Sequence, residues 1–453
     1  MSFTVDKQTL DDLNVLGKYK GNSIYNLFDR TQTRGGAQVL ENLFQHPLTD
    51  ADAINQRTAI LKFFQQGRFT FPVQKELCEE VEQYLSMAGA ISLAGAAMNM
   101  LRSKAMRIIA SDKEHELITR GILSTVKLIR ETDRFMQQVA VCGDASFYQK
   151  TIDEIKRICN TPGINQALAG VDNAIKGFGQ QVKMDHQLRH SSRQDLEKLL
   201  SILYEADAFI SVTSVAEERK FGYALALPFK EGENRIAMEN LFHPQVPGAV
   251  PNSVGMNVIR NLVFLTGANM AGKSTFMKSF GVALYLAHMG FPVAAEAMEF
   301  SIQDGIYTSI NVPDNLNEGY SHFYAEVLRV KRVAEEVSRG RNLVIIFDEL
   351  FKGTNVKDAY DATVAVTEAF GENRNCTFIV STHIVEAGET LRHRSSNMQF
   401  LFFPTIMEKQ VPRYTYQLQE GISADRHGMM IIANEGIVDI IKAKKVSPEG
   451  IFG

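Results

Sequence analysis

Two textures of apolar and polar positions divide the chain. From Asp6 to about Glu218 apolar residues recur at three- and four-residue intervals, with turn punctuation at Gly21, Pro47, Pro72, Gly143 and Pro162-Gly163. Such spacing predicts helices throughout this stretch. One helix reads closely: Ser111 and Glu114 form a capping box, Ile118, Ile122, Val126 and Ile129 share one face, and Gly143 lies just past its end. It is expected to run about thirty residues at a rise of about 1.5 Å each. A second helix, from about Ser191 to Val215, carries Leu196, Leu199, Leu203, Ala206 and Ile210 at the same periodicity. Two such helices running out and back suggest a lever.

Near Phe221 the texture changes. Gly222 to Phe229 and Asn234 to Met238 read as strands, and Pro244, Pro247 and Pro251 mark a loop. Strand and helix patterns alternate afterwards, which implies a mostly parallel sheet. The expected organisation is a helical domain over residues 1–220 and an α/β domain over residues 221–453. No internal repeat or low-complexity tract interrupts either.

The α/β half carries the chemistry. Leu262 to Thr266 is an apolar strand pattern that feeds the loop Gly267, Ala268, Asn269, Met270, Ala271 and Gly272, and Lys273, Ser274 and Thr275 open an apolar helix. This is the P-loop pattern. In such a loop the amides wrap phosphates, the helix N-terminus faces their charge, the lysine reaches the β and γ oxygens, and the serine holds Mg²⁺. The expected ligand is a nucleoside triphosphate. A second unbroken apolar run, Leu343 to Phe347, ends in Asp348 and Glu349, whose expected roles are to hold the Mg²⁺ shell and to orient or deprotonate the attacking water. A third, Cys376 to Val380, ends in Ser381, Thr382 and His383. His383 is either a γ-phosphate sensor or a plain turn residue. In open α/β sheets, ligands bind outside the carboxyl ends of the strands, where all three motifs fall.

Composition narrows the setting. With 48 Lys and Arg against 52 Asp and Glu, the net charge is −4, so contact with nucleic acid would need a local patch. Cys78, Cys142, Cys159 and Cys376 are widely spaced, which argues against a zinc site or a disulfide framework and for a reducing compartment. The first residues lack the basic and apolar regions of a signal peptide. The most apolar window, Ala88 to Ala110, is broken by Asn99, Arg102, Lys104 and Arg107, a charge density no membrane span tolerates. A cytoplasmic protein without membrane contact is expected.

The motifs together resemble the MutS family of DNA mismatch-repair ATPases, whose nucleotide site is built like that of ABC transporter ATPases. The resemblance rests on Thr266 to Thr275, on Asp348 to Thr354 followed by Asp358, and on Ser381 to His383. It extends to Gly319 to Glu326, Asp425 to Gly428, the lead-in Val250 to Asn252, and the N-terminal stretches Ser23 to Gly36, His46 to Leu48 and Asn55 to Arg57. It implies a helical core and shortened lever followed by an ABC-like P-loop NTPase domain. ATP and Mg²⁺ are the implied ligands, with Lys273, Ser274 and Asn269 cradling phosphates and metal. Glu349 and Asp348 would run hydrolysis, and His383 would report on the γ-phosphate. The resemblance also implies a dimer, a homodimer in the first instance, in which Ser321 reaches the partner's nucleotide, although Ser321 reads equally as a helix N-cap.

Several positions depart from the family pattern. Ala268 and Ala271 stand where the family usually has Pro and Gly, Phe351 and Ala359 stand where small residues or Gly are usual, and Ala249 replaces the aromatic expected to pack on adenine. Tyr416, at the edge of a strand pattern, either supplies that stacking surface or simply packs. The stretches that would correspond to the family's mismatch-reading and connector domains have no counterpart, so direct mismatch reading by this chain is not expected. DNA-stimulated ATP hydrolysis driving a clamp or lever cycle is the leading expectation, with other repair proteins as further partners. Arg102, Lys104 and Arg107 on one segment, and Lys183, Arg189 and Arg193 on another, are the candidate DNA contacts if they are not merely solvated faces. The rival expectation is an ATP-switched module that grips a protein or ribonucleoprotein.

Overall fold

The computed structural model of the chain describes residues 2–17, 21–87, 113–174, 178–310, 322–352, 354–408, 411–423 and 436–443. They fall into two compact units. One comprises Tyr25–His46 and Asn55–Lys220, and the other Met1–Ile24, Pro47–Ile54 and Phe221–Gly453. The first 24 residues, which the sequence pattern groups with the helices, thus belong to the unit that holds the sheets.

In the helical unit the long helix Lys113–Val141 buries Ile118, Ile122, Val126 and Ile129, the face expected from their spacing. Ser111 lies outside the described residues. Arg193–Arg219 is the central helix, with Leu196, Leu199, Leu203 and Ala206 all buried and Ile210 at the margin. It is long and apolar enough to cross a membrane by length and composition, yet 72% of its apolar window is buried inside the fold. Its apolarity is that of a core helix. The Ala88 to Ala110 window lies outside the described residues. Asp207 on the central helix is 1% exposed and accepts hydrogen bonds from the amides of Gln32 and Thr33 and from the Thr33 hydroxyl. Those groups sit at the N-terminus of the Arg34–Gln45 helix, where a carboxylate is electrostatically favoured even though burial pushes its pKa up.

In the second unit a sheet of seven described strands runs in the order Thr4–Val5, Gly305–Ser309, Leu343–Phe347, Thr377–Ser381, Leu262–Gly267, Met398–Phe403 and Gln419–Glu420. Every neighbouring pair is parallel except the last. The inner strands are buried on both faces, which is why their apolar runs do not alternate. A second sheet orders Asn252–Asn257, Arg235–Leu241, Ala297–Ser301, Gly222–Leu227 and Pro292–Val293. The consecutive strands expected before the proline loop are present, and Arg235–Leu241 pairs antiparallel on both sides. The alternation of strand and helix expected after that loop needs correction, because Pro292–Val293, Ala297–Ser301 and Gly305–Ser309 follow one another without a helix. Arg235–Leu241 largely alternates exposed and buried side chains, as a strand covered on one face does.

The helix Lys273–His288 packs against strands of both sheets, and every residue from Phe276 to His288 except Lys278 is buried. At its end, fully buried His288 uses both ring nitrogens. Nδ1 is 2.8 Å from the Leu48 carbonyl, and Nε2 accepts from the Gln303 amide at 3.4 Å. Burial lowers its pKa to about 4, so the ring is neutral near pH 7.

Candidate functional site at the carboxyl edge of the sheet

Three parallel strands deliver the motif residues to one edge. The strand Leu262–Gly267 turns through Ala268 to Gly272 into the helix that opens at Lys273. Left-handed backbone falls at Gly267 (φ +137°), Met270 (φ +68°) and Gly272 (φ +109°). Ala268 and Ala271 are not among the positive-φ residues, so their β-carbons do not strain the loop. Gly272 is needed twice over, since a β-carbon there would also lie 3.3 Å from the Tyr416 ring. Lys273 is 5% exposed, and its Nζ donates to the carbonyls of Gly267 at 2.8 Å and Ala268 at 3.1 Å. Burial lowers its pKa, while Asp348 and Glu349 oppose that shift. Asn269 and Met270 form the exposed rim, and Ser274 and Thr275 open onto the cavity from the first helical turn.

Asp348 and Glu349 follow the strand Leu343–Phe347 and diverge in their contacts. Both Asp348 oxygens accept hydroxyl hydrogens: Oδ1 from Ser381 at 2.9 Å and Oδ2 from Ser274. Glu349 turns the other way. Nε2 of His383 is 2.6 Å from its Oε1, and Nζ of Lys352 donates to its Oε2 at 3.0 Å. The His383 hydrogen bond, with Lys352 adding to it against the opposing effect of burial, holds the Glu349 pKa down at about 2. Glu349 and Phe351 both have positive φ, +52° and +62°, an expense of about 1–2 kcal/mol for each non-glycine residue. The turn is pinned where the Leu350 amide donates to the Ser381 carbonyl at 3.2 Å and the Phe351 amide to Glu326 Oε1 at 2.6 Å. Phe351, a departure from the small residue usual in the family, is buried and meets Phe323 edge to face.

Lys273, Ser274 and Glu349 line one cavity of about 530 Å³. Its far wall comes from Phe242, His243, Val246 to Val250, Phe403 and Tyr416. Tyr416 is 45% exposed and lies in a loop between strands at φ +56°, not on the strand edge that its sequence pattern implies. Asn252 fixes that loop: its Nδ2 donates to the carbonyls of Val250 and Tyr416, and its Oδ1 accepts from the Leu418 amide at 2.6 Å. His243 accepts from the Gln245 amide through Nδ1, and burial first, with Lys278 adding to it, lowers its pKa to about 4. Neither His243 nor Phe403 stands out in the sequence, where His243 reads as part of a proline-rich loop. A polyanion with an attached ring would meet the loop amides and Lys273 at one end and aromatic surface at the other.

Other expected residues fare differently. Ser321, Arg102, Lys104 and Arg107 lie outside the described residues. Arg189 is corrected: it is 8% exposed, bonds the carboxylate of Asp185 through Nε at 2.7 Å and through Nη2, and lies over the Tyr84 ring. The Tyr84 hydroxyl donates to the same carboxylate at 2.8 Å. Arg189 is a core ion pair, withdrawn from any phosphate. Lys183 is exposed, and Arg193 is exposed but paired with Glu197 at 2.8 Å. No group of three His, Cys, Asp or Glu side chains arranged to hold a metal occurs among the described residues.

A helical unit, and a mixed α/β unit with a cavity at the carboxyl edge of its parallel strands, define a two-unit protein of helical and α/β parts. Its lineage follows from comparison with known proteins: MutS domain III matches residues 8–213 and MutS domain V matches residues 263–448. The chain belongs to the MutS family. It is 22% identical over 536 aligned positions to the DNA mismatch repair protein MutS of Petrotoga mobilis, covering 97% of this chain and 64% of that protein. The protein of the same name from Geobacillus thermodenitrificans is 32% identical over 197 residues, 42% of this chain and 21% of its own length. That from Clostridioides difficile is 29% identical over 198 residues, 42% and 20% of the two lengths. The chain thus spans less than two thirds of each of these relatives.

Proposed function

We propose that this chain is a DNA-associated ATPase of the MutS type, acting in mismatch repair or a related repair or recombination process without itself reading the mismatch. The observation that carries the reading is the convergence of Lys273, Ser274, Asp348, Glu349 and His383 on one edge of a parallel sheet, beside a cavity with an aromatic far wall. ATP lies with its phosphates in the Gly267 to Thr275 loop and its base toward Tyr416. Lys273 exchanges its loop carbonyls for phosphate oxygens. The Ser274 hydroxyl and the Asp348 carboxylate, already in contact, are the hard oxygen donors that suit Mg²⁺, an ion commonly held by one or two protein oxygens together with substrate phosphates. When bound, Mg²⁺ neutralises charge on the β and γ phosphates.

Glu349 acts on the attacking water. A carboxylate with a pKa near 2 is a weak proton acceptor at neutral pH, so its work is to orient and polarise the water, with His383 fixing its direction. Two copies of the chain pair across their nucleotides with Ser321 contributing in trans, and the cycle of binding and hydrolysis moves the helical levers. DNA contact falls to Arg102, Lys104, Arg107, Lys183 and Arg193, through phosphates and without sequence preference.

A second reading, an ATP-switched module gripping a protein or ribonucleoprotein, draws support from the helical unit. There Glu76, Glu79 and Glu80 line a cavity of about 280 Å³ together with Arg120, which pairs with Glu80, so its excess charge is acidic. The test is ATP turnover with and without linear and branched duplex DNA at low salt, alongside Glu349→Gln. The proposal expects DNA stimulation, and expects Glu349→Gln to bind ATP, stop hydrolysing it and accumulate as a dimer. Unstimulated turnover with no retention on DNA favours the second reading, and normal turnover by Glu349→Gln removes the hydrolytic assignment.

A further inference from the structure

Glu326 is not needed by any step above, yet it is placed against the turn that carries Glu349. It lies on the helix His322–Val337, is 5% exposed, and accepts the Phe351 amide at 2.6 Å. Burying a carboxylate among apolar side chains is costly unless a specific donor meets it. A donor to it is the Phe351 amide, which closes a turn whose flanking residues, Glu349 and Phe351, both hold left-handed backbone that non-glycine residues avoid. Two of the contacts on this turn come from the one helix: Glu326 on the Phe351 amide, and Phe323 on the Phe351 ring. The neighbouring strand and its end add the Leu350 amide on the Ser381 carbonyl and His383 on the Glu349 carboxylate.

One turn further on, a neighbouring position of the same face anchors the helix. Arg329, 7% exposed, pairs with Asp6 and donates through Nε to the Thr308 carbonyl at 3.1 Å. A helix fastened at Arg329 gives Glu326 a fixed position from which to set the turn.

We propose that Glu326 is a positioning residue for hydrolysis, holding Glu349 at the γ-phosphate by accepting the Phe351 amide from the His322–Val337 helix. The inference rests on the hydrolytic role proposed for Glu349. Loss of the acceptor lets Phe351 relax toward negative φ and swings the Glu349 carboxylate off line, while the phosphate loop, on another strand, keeps its shape. Misplacement of a reacting group by about 1 Å costs on the order of a hundredfold in rate.

The experiment compares kcat, KM and equilibrium binding of Mg²⁺ and ATP for the full chain carrying Glu326→Gln, Glu326→Met, Glu326→Ala or Glu349→Gln, with a melting temperature for each. Glu326→Met keeps the volume and removes the acceptor. Its kcat is expected to fall about tenfold to a hundredfold with KM and ATP affinity within about twofold of the parent. Glu326→Gln keeps a carbonyl oxygen for the amide and is expected to recover most of kcat. Full kcat in Glu326→Met, equal impairment in Gln and Met, or parallel loss of kcat and ATP affinity in Met would each overturn the inference. Glu326→Ala, if folded, must follow Met. Glu349→Gln separates the two levels: full hydrolysis there sinks the underlying reading, whereas a dead Glu349→Gln beside a fully active Glu326→Met sinks only the role of Glu326.

Discussion

His383 and Glu349 are joined through Nε2 and Oε1 over 2.6 Å, although 34 residues separate them. Their strands, Thr377–Ser381 and Leu343–Phe347, are paired neighbours in parallel register, so the residues just past their ends meet at the same height. The contact aims the carboxylate and, because a hydrogen bond to the charged form favours ionisation, keeps it deprotonated. His383→Ala is expected to lower kcat for ATP by about tenfold to a hundredfold while leaving KM nearly unchanged. Steady-state phosphate release checks this, and a variant that lost ATP affinity instead would assign His383 to binding.

Tyr416 packs on Gly272 and presents its ring to the cavity where Ala249 offers only a methyl group. If that ring stacks on the base, Tyr416→Ala weakens ATP binding about three- to tenfold and Tyr416→Phe leaves it nearly intact, as stacking is worth about 0.5–1.5 kcal/mol. Titration with ATP and with inorganic triphosphate decides the matter, because only the nucleotide should respond.

Removing Arg189 strands Asp185, 7% exposed, beside the Tyr84 hydroxyl. Arg189→Ala is expected to destabilise the chain by about 3–5 kcal/mol, and Asp185→Asn combined with Arg189→Met to recover part of that loss. Urea unfolding measures both. On DNA, Lys183→Ala should reduce the salt slope by about one, an effect that Lys273→Ala should not share.

His288 ties stability to pH. Its folded pKa, about 4, lies below the ordinary value of 6.5, so the unfolded chain takes up the proton first. The contribution is complete above pH 6.5 and is lost as pH falls toward 4, amounting to at most about 3 kcal/mol. Urea midpoints between pH 7.5 and 4.5 should decline in the parent and decline less in His288→Gln, whose amide can both donate to Leu48 and accept from Gln303.

The Lys273 side of the cavity was legible because each part is contiguous in sequence: an apolar strand, then Gly267 to Thr275, Asp348-Glu349, or Ser381 to His383. Of the far wall's rings only Tyr416 was picked out, since Phe242-His243, Phe403 and Tyr416 come from three separate segments that meet only through the fold. Thr4–Val5 is too short a strand to show a period. Charge counting failed at Arg189 because it ignores direction: Asp185, four residues earlier, draws the guanidinium inward. Glu326 lay inside a recognised stretch, but nothing in its neighbours names the Phe351 amide as its partner.

The pairing of Thr4 and Val5 with Gly305 and Ile306 has a consequence for biosynthesis. Some three hundred residues must leave the ribosome before the outermost strand finds its neighbour, and the entire helical unit is translated in between. Helices rich in local contacts form quickly, whereas distant strand pairing is slow. The helical unit is thus able to mature while the opening segment waits, and a slow-translating stretch ahead of Gly305 would prolong the interval in which Phe3 and its neighbours are open to chaperones.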